Sequence, residues 1–330
     1  MNTRSRTRAA AERAAPTMIN TPASLGIEFG ANFQLNCFNR LKNREIKSTK
    51  WACPFMLNQL GIHQDFDYLC NNVGLSHFVF QEAATYRRLT LEFLSTLMHT
   101  VGKFYCSEEE CPGVDQISFR LMNREYDLTL DNWCHYFGFE NSPTAIRASS
   151  FMINPSPTSY FNLIKAPDTL AHGNSIECPA LRYLYYVIAN TLQARHDFTR
   201  VNEEDMIVLA KAAFPNCNII PNLGAILLMY LKHQALETQG PICGGGVITV
   251  LAQALQINVS NLQALEGPRR LSFATLNACG MVKKINGSYY FNIPGADHLI
   301  AAPLPNGIFS IENGRLHYDA QVEAELPHQR

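Results

Sequence analysis

The sequence predicts a mainly α protein: a helical two-lobe domain with short β-hairpins and no parallel sheet. Three observations lead there. Apolar residues recur at helical spacing in segment after segment, and period-two alternation is confined to short stretches around tight turns. Strands do not alternate with helices in the way that parallel crossovers demand. A stretch rich in Pro, Ser and Asn, residues 141–177, separates two helix-rich regions. With 330 residues, 47% apolar and 17% charged, the chain can bury a sizeable core.

Residues 1–45 read as a basic, disordered arm. Residues 1–50 hold six Arg and three Lys against Glu12, Glu28 and Glu45, a net of +6, whereas the whole chain carries −1. The arm is expected to offer Arg4, Arg6, Arg8, Arg13, Arg40, Lys42 and Arg44 to nucleic-acid phosphates or to serve as a nuclear address. A solvated tail is the plainer alternative. The arm lacks the apolar centre of a secretory signal, and Glu12 interrupts the pattern of a transit peptide.

An N-terminal helical lobe is expected over 46–140. In "EAATYRRLTLEFLSTLMHTVG" (82–102), Tyr86, Leu89, Phe93 and Leu97 form one stripe and Leu91, Leu94, Met98 and Val101 a second, which predicts a helix central to the core. Ile117, Phe119 and Leu121, then Tyr126 and Leu128, alternate as a hairpin over 117–128. Thr129 is placed to cap a helix that carries Trp133, Tyr136 and Phe137 and ends at Gly138. After the connector, a second helical lobe spans 178–262. Leu181, Leu184, Tyr185, Ile188 and Leu192 mark its first helix; Asn202 caps another, with Glu203, Glu204 and Asp205 in the first turn, where acids suit the helix dipole. "NLGAILLMYLKHQAL" and "ICGGGVITVLAQALQI" (242–257) supply two more. The C-terminal extension, 263–330, holds two Asn-Gly hairpins. One pairs Val282 with Phe291; the other pairs Ile311 with Leu316 and Phe309 with Tyr318, with Glu312 and Arg315 as an ion pair beside the turn.

No catalytic, cofactor or metal site emerges from the motifs. The run Gly244–Gly246 is followed by "VITVL", without the Lys and hydroxyl of a phosphate-binding loop, and no strand precedes it as a dinucleotide site requires. Cys243, at a helix start, is a candidate nucleophile without an identifiable base. His196-Asp197 lacks further ligands at metal spacing and reads as a polar turn. The ten cysteines include no C-x-x-C pair; Cys106 and Cys111 enclose three acids, which raise thiol pKa values. The sequons at Asn258 and Asn286 are expected to be unused. The 13 Tyr and 19 Phe fall on helix stripes and hairpin faces, as core packing requires, rather than beside basic grooves. The longest apolar run, "AILLMYL" (225–231), is far short of the roughly 20 residues that cross a bilayer.

Five segments, in order, resemble the first-open-reading-frame family of Athila-type plant LTR retrotransposons, also described as the putative plant transposon protein domain. They are "TKWACPFMLNQLGIHQDFDYLCNNVGL" (49–75), "TYRRLTLEFLSTL" (85–97), "ISFRLMNREYDLTLDNWCHYFGF" (117–139), "LYYVIANTLQARHDF" (184–198) and the glycine turn with its helix (242–257). The resemblance covers roughly 46–260, and 117–139 is also similar to the plant mobile domain. It implies a non-enzymatic gag-region or accessory protein with no catalytic residues to carry over. Such a protein would self-associate or bind element RNA or DNA through the arm, in nucleus or cytoplasm, neither secreted nor membrane-bound, with no cofactor or small-molecule substrate. Protease, polymerase and integrase motifs are missing, as in a truncated or stand-alone copy. Two alternatives remain: a domesticated nuclear protein-interaction module, and a hydrolase that uses Cys243.

Overall fold

The computed structural model describes residues 20–100, 115–141, 156–296 and 298–304, together with the backbone of two strands at 309–312 and 315–318. Among these residues the chain forms eleven α-helices and twelve short strands.

Helix α1 (Asn32–Leu41) buries Gln34, Phe38 and Leu41, an i, i+4, i+7 stripe, against α4 (Arg87–Thr96). A folded helix therefore stands where the sequence predicted a disordered arm. Its two buried apolar residues are too few to stand out among Asn, Gln and Arg. Next come the two-residue strand β1 (Lys50–Trp51) and helices α2 (Pro54–Leu60) and α3 (His63–Val73). Gly61 and Gly74 end those two helices in the left-handed conformation.

Helix α4 is shorter than the 82–102 expected. Before it, β2 (Thr85–Tyr86) pairs with β6 (Ala264–Glu266); after it, β3 (Met98–Thr100) joins β4 (Gln116–Leu121) and β5 (Arg124–Thr129) in a three-stranded antiparallel sheet. Two contacts bind α4 to that sheet. The Thr96 hydroxyl donates to the Glu92 carbonyl at 2.8 Å and accepts the Arg120 backbone N–H at 2.8 Å, so the last helical turn is also a sheet contact. Glu92, fully buried, accepts the backbone N–H groups of Met122 (2.9 Å) and Asn123 (2.6 Å). Those two residues form the β4–β5 turn, both at positive φ as a two-residue hairpin loop demands. Burial raises the Glu92 pKa, and the two backbone donors oppose that rise.

Helix α5 (Leu130–Phe137) matches its sequence signals: the Thr129 side chain accepts from Asn132 N–H at 3.2 Å, and Gly138 ends it. Residues within the expected connector also fold. Helix α6 (Pro157–Ile164) buries Phe161 and Ile164 and packs on α8 (Glu203–Ala213). Helix α7 (Pro179–Val187) continues as a π-helical turn, Ile188–Leu192, and is buried all round. Its polar groups are mostly paired, Arg182 Nη2 being an exception. Arg182 donates to the carbonyls of Ile176 and Asn292, both at 2.8 Å, and burial lowers its pKa to about 10. The Tyr183 hydroxyl accepts Cys53 N–H at 2.9 Å, and the Tyr185 hydroxyl donates to Phe198 O at 2.6 Å. In α8, Asn202 and Asp205 form a reciprocal capping box. Helices α9 (Leu223–Leu236) and α10 (Gly245–Ala254) complete the core.

Two parts of the predicted fold class are overturned. First, β1 pairs with β7 (Arg269–Arg270) in parallel, Lys50 opposite Arg269 and Trp51 opposite Arg270, so the fold does contain a parallel sheet. A two-residue ladder between segments over 200 positions apart needs no crossover helix of its own. It forms because Trp51 and Leu271 are both fully buried there, and it leaves no strand–helix alternation to read. Second, apolar residues on both sides of the connector belong to one continuous core, with α4 packed on α9 and α10 and α3 on α7 and α8. The lobes therefore share a single interior.

At the C-terminal end, α11 (Phe273–Ala278) precedes β8 (Val282–Ile285), β9 (Ser288–Phe291) and β10 (Ile300–Ala301), which form an antiparallel sheet. Val282 lies opposite Phe291, the register read from the Asn286-Gly287 turn. The last hairpin, β11 (Phe309–Glu312) and β12 (Arg315–Tyr318), pairs Phe309 with Tyr318 and Ile311 with Leu316, again as expected. The proposed Glu312–Arg315 ion pair and the Cys106/Cys111 pair lie outside the described side chains.

Candidate nucleic-acid interface

One face of the molecule gathers cations from three distant parts of the chain. Lys42 follows the last turn of α1, and its carbonyl accepts both the Arg87 guanidinium and the Asn20 side-chain amide, the latter at 3.1 Å. Arg87 and Arg88 occupy the first turn of α4. Arg88 donates to Gly26 O at 2.8 Å, and Asn123 of the hairpin turn donates to the same oxygen at 2.9 Å. Arg120 reaches Asn123 O at 3.0 Å and Glu125 at 2.8 Å, and Arg124 is exposed at the hairpin's tip. Arg40 is exposed on the last turn of α1. Among the described residues Arg120 pairs with Glu125 at 2.8 Å, while Glu92 lies beneath, fully buried.

Electrostatics at α4 makes this face anion-seeking. A helix N-terminus favours negative charge, yet α4 places two arginines there and no side-chain cap. Arg88 is drawn toward Glu92 one turn on, whereas among the described residues no acid is paired with Arg87, whose pKa burial lowers. A phosphate bound across this surface would complement both the guanidinium groups and the helix dipole.

The seven basic residues singled out in the sequence meet different fates. Arg4, Arg6, Arg8 and Arg13 lie outside the described residues, but the segment that carries them enters the fold at Asn20, bonded to Lys42. Arg40 and Lys42 sit on the basic face. Arg44 does not: it is 7% exposed and donates to the carbonyls of Gln234 (2.6 Å), Glu237 (2.9 Å) and Gly240 (2.9 Å), with Glu237 Oε2 at 3.5 Å. Its charge serves to tie α1 to the end of α9, and burial lowers its pKa despite Glu237. Sequence reasoning missed Arg87, Arg88, Arg120 and Arg124. The two consecutive arginines opening a helix were the available signal, since cations are disfavoured there.

The chemical candidates find structural roles. At the glycine turn, backbone donors that might cradle a phosphate are already taken. Gln234 Oε1 accepts the N–H groups of Cys243 (3.0 Å) and Gly244 (3.1 Å), and Thr49 Oγ1 accepts that of Gly246 (2.9 Å). Glycine is required by crowding. An added Cβ would lie 2.7 Å from Leu231 at Gly244, 2.4 Å from Thr85 at Gly245 and 2.8 Å from Thr49 at Gly246. Cys243 is buried, and burial pushes its thiol up to about 11 although Lys47 and Lys50 pull it down, the opposite of an activated nucleophile. His196 and Asp197 are exposed; Asp197 accepts Thr199 N–H at 3.0 Å, which lowers its pKa and makes it a turn former. Among the described residues no group of three or more His, Cys, Asp or Glu is placed to hold a metal ion, and no helix is long and apolar enough to cross a membrane. Both tryptophans and Phe38, Phe66, Phe78, Phe93, Phe161 and Phe291 are fully buried and pack the core, whereas Phe33, Phe55 and Tyr68 are exposed.

No curated protein and no solved structure matches the chain. The ATHILA ORF-1 family matches residues 36–214, over half of the chain, spanning α1's second half, the α4–hairpin unit with its arginines, and α5 to α8. The glycine turn at 242–257 lies beyond that match. On this evidence the chain belongs to the ATHILA ORF-1 family of plant retrotransposon proteins.

Proposed function

We propose that this protein is a non-enzymatic, gag-type component of its element that holds element RNA along a basic surface. The observation that carries the reading is the juxtaposition at Lys42. There Asn20, which follows the segment bearing Arg4, Arg6, Arg8 and Arg13 in the sequence, is bonded to Lys42, whose carbonyl also accepts Arg87; Arg40, Arg88, Arg120 and Arg124 complete the proposed surface. A net charge of −1 over the whole chain then describes an acidic body with one basic side, which favours oriented rather than general binding of a polyanion. The burial of Cys243 and the occupied donors of the glycine turn leave the hydrolase alternative without a nucleophile or an oxyanion site.

The test is the salt dependence of single-stranded RNA binding by the full chain. Each phosphate contact contributes about 0.7 to the slope of log affinity against log salt for a single strand. Substituting Arg40 and Arg124, both exposed, with Gln is expected to lower the slope by roughly 1.4 without unfolding the protein, and replacing the four arm arginines with Ala to lower it further. An unchanged slope in both variants, or no salt-dependent binding by the parent, would show that this surface does not hold RNA.

A further inference from the structure

Helix α1 presents a row of carboxamides to solvent. Asn32, Asn36 and Asn39 recur at i, i+4 and i+7, and Asn43, in the turn that ends the helix, continues the spacing to i+11. At about 100° per residue these positions fall within roughly 60° of arc, on the side opposite the buried Gln34, Phe38 and Leu41. All four asparagines are exposed, and among the described residues none of their side chains makes a hydrogen bond. Solvation alone does not select such a row. Asn is a poor helix former, because its amide competes for backbone groups, and Ala, Glu, Lys, Gln or Arg serve a solvated face better. What the row offers is a donor and an acceptor side by side on each carboxamide.

The flanks of the row define what it can meet. By the same helical geometry Phe33 and Arg40 border it on one side and Leu35 and Lys42 on the other, so each side carries one apolar side chain and one cation. Phe33 is 44% and Leu35 39% exposed, and α1 contains no acid. Both cations stand at the end of α1, where the Lys42 carbonyl accepts the Arg87 guanidinium, so the row runs directly into the basic face. From Asn32 to Asn43 it extends about 16 Å along the axis, enough to face several nucleotides of a strand that rises about 3.4 Å for each.

We propose that the exposed face of α1 reads adenine in single-stranded RNA. Asn36 and Asn39 each meet a base edge through paired hydrogen bonds, Phe33 stacks on a base, and Arg40 and Lys42 hold the neighbouring phosphates. Adenine fits because its N6 amino group and N7 engage the acceptor and the donor of one carboxamide. Unpaired strands expose that edge, whereas an A-form duplex hides it in a deep, narrow groove. This inference rests on the RNA-binding reading and adds base selectivity to it.

The test titrates the full chain with two 12-residue RNAs of equal charge that cannot pair with themselves, one alternating adenosine with cytidine, the other uridine with cytidine. The adenine-containing strand is expected to bind at least about fivefold tighter with the same salt slope, the lower end of what one bidentate pair discriminates. Asn36→Ala combined with Asn39→Ala should bring the two affinities within about twofold of each other. The salt slope should not change, and Tm should stay level or rise, because Ala is the better helix former. Arg40→Gln, by contrast, should weaken both strands alike. Equal affinities in the parent, or a preference that survives in the double variant, overturn the base reading while leaving the phosphate surface standing. Tighter binding of a DNA duplex of equal charge, lost in the double variant, assigns the row to a major groove and overturns the single-strand reading. No salt-dependent binding of either RNA removes the RNA-binding reading and this inference with it.

Discussion

The glycine run offers the sharpest physical test, with Gly245→Ala as the perturbation. Gly245 sits at the first position of α10, and its φ is not left-handed, so alanine meets no backbone strain there. Helix propensity alone would favour alanine by up to about 1 kcal/mol. Packing opposes it: the new methyl would lie 2.4 Å from Thr85 Cγ2 and 2.7 Å from Thr90 Oγ1, and both threonines are fully buried. Overpacking a closed core costs about 1–3 kcal/mol, so the net effect is a loss on the order of 1–2 kcal/mol. Thermal unfolding should show a fall in Tm of roughly 1.5–3 °C. Thr85→Ala removes the clashing methyl together with a hydroxyl that has no hydrogen-bond partner, so the double variant should recover about 1 kcal/mol relative to additivity. Gly267→Ala, with nothing within 4 Å of its added Cβ, is the matched control and should stay within about 0.5 kcal/mol of the parent. A Gly245→Ala protein as stable as the parent, or one indifferent to Thr85→Ala, would refute close approach as the reason for glycine here.

Three further outcomes are expected. Glu92→Gln sets an NH₂ group against one of the two backbone donors of the β4–β5 turn, so urea denaturation should report a loss of about 1–3 kcal/mol; an unchanged midpoint would mean that the turn is not held by this carboxylate. Asp205 is fully buried, and burial raises its pKa to about 6 against the pull of Arg195. Because its folded pKa lies above the unfolded value, its contribution is complete below about pH 4 and lost as pH rises through 6. The parent should therefore lose on the order of 3 kcal/mol relative to Asp205→Asn between pH 4 and pH 7, and parallel stability curves for the two proteins would contradict this. Cys243, buried with its pKa near 11, should react with a thiol probe at pH 7 only as fast as the protein opens, and labelling at the rate of free cysteine would contradict its placement.

What the sequence made visible was local, and what it hid was mostly non-local. The Thr129 cap, the Gly138 stop, the Asn202 cap and the registers of the Asn-Gly hairpins depend on residues within a few positions of each other, and each appears where it was expected. The end of α4 goes with the pairing of Met98–Thr100 to Gln116–Ser118, 16 to 20 positions further on, and no stripe within 82–102 could reveal it. The parallel β1–β7 ladder is hidden for the same reason.

The basic surface shows most clearly how composition can mislead. Counting charge along residues 1–50 found an excess but could not separate Arg44, which is buried under the end of α9, from Lys42, two residues earlier on the basic face. Nor could it see that Lys42 lies beside Arg87, 45 positions further on, or Gly26 beside Asn123. Arginine is suited to both places because its five donors can satisfy buried carbonyls as readily as phosphate oxygens. The two roles predict opposite consequences of substitution. Arg44→Gln should lower stability, because carbonyls of Gln234, Glu237 and Gly240 lose their donors, and it should leave the salt slope of RNA binding intact in whatever protein remains folded. Arg40→Gln should do the reverse. Burial, rather than charge or position in the arm, divides the structural Arg44 from the arginines proposed to bind RNA.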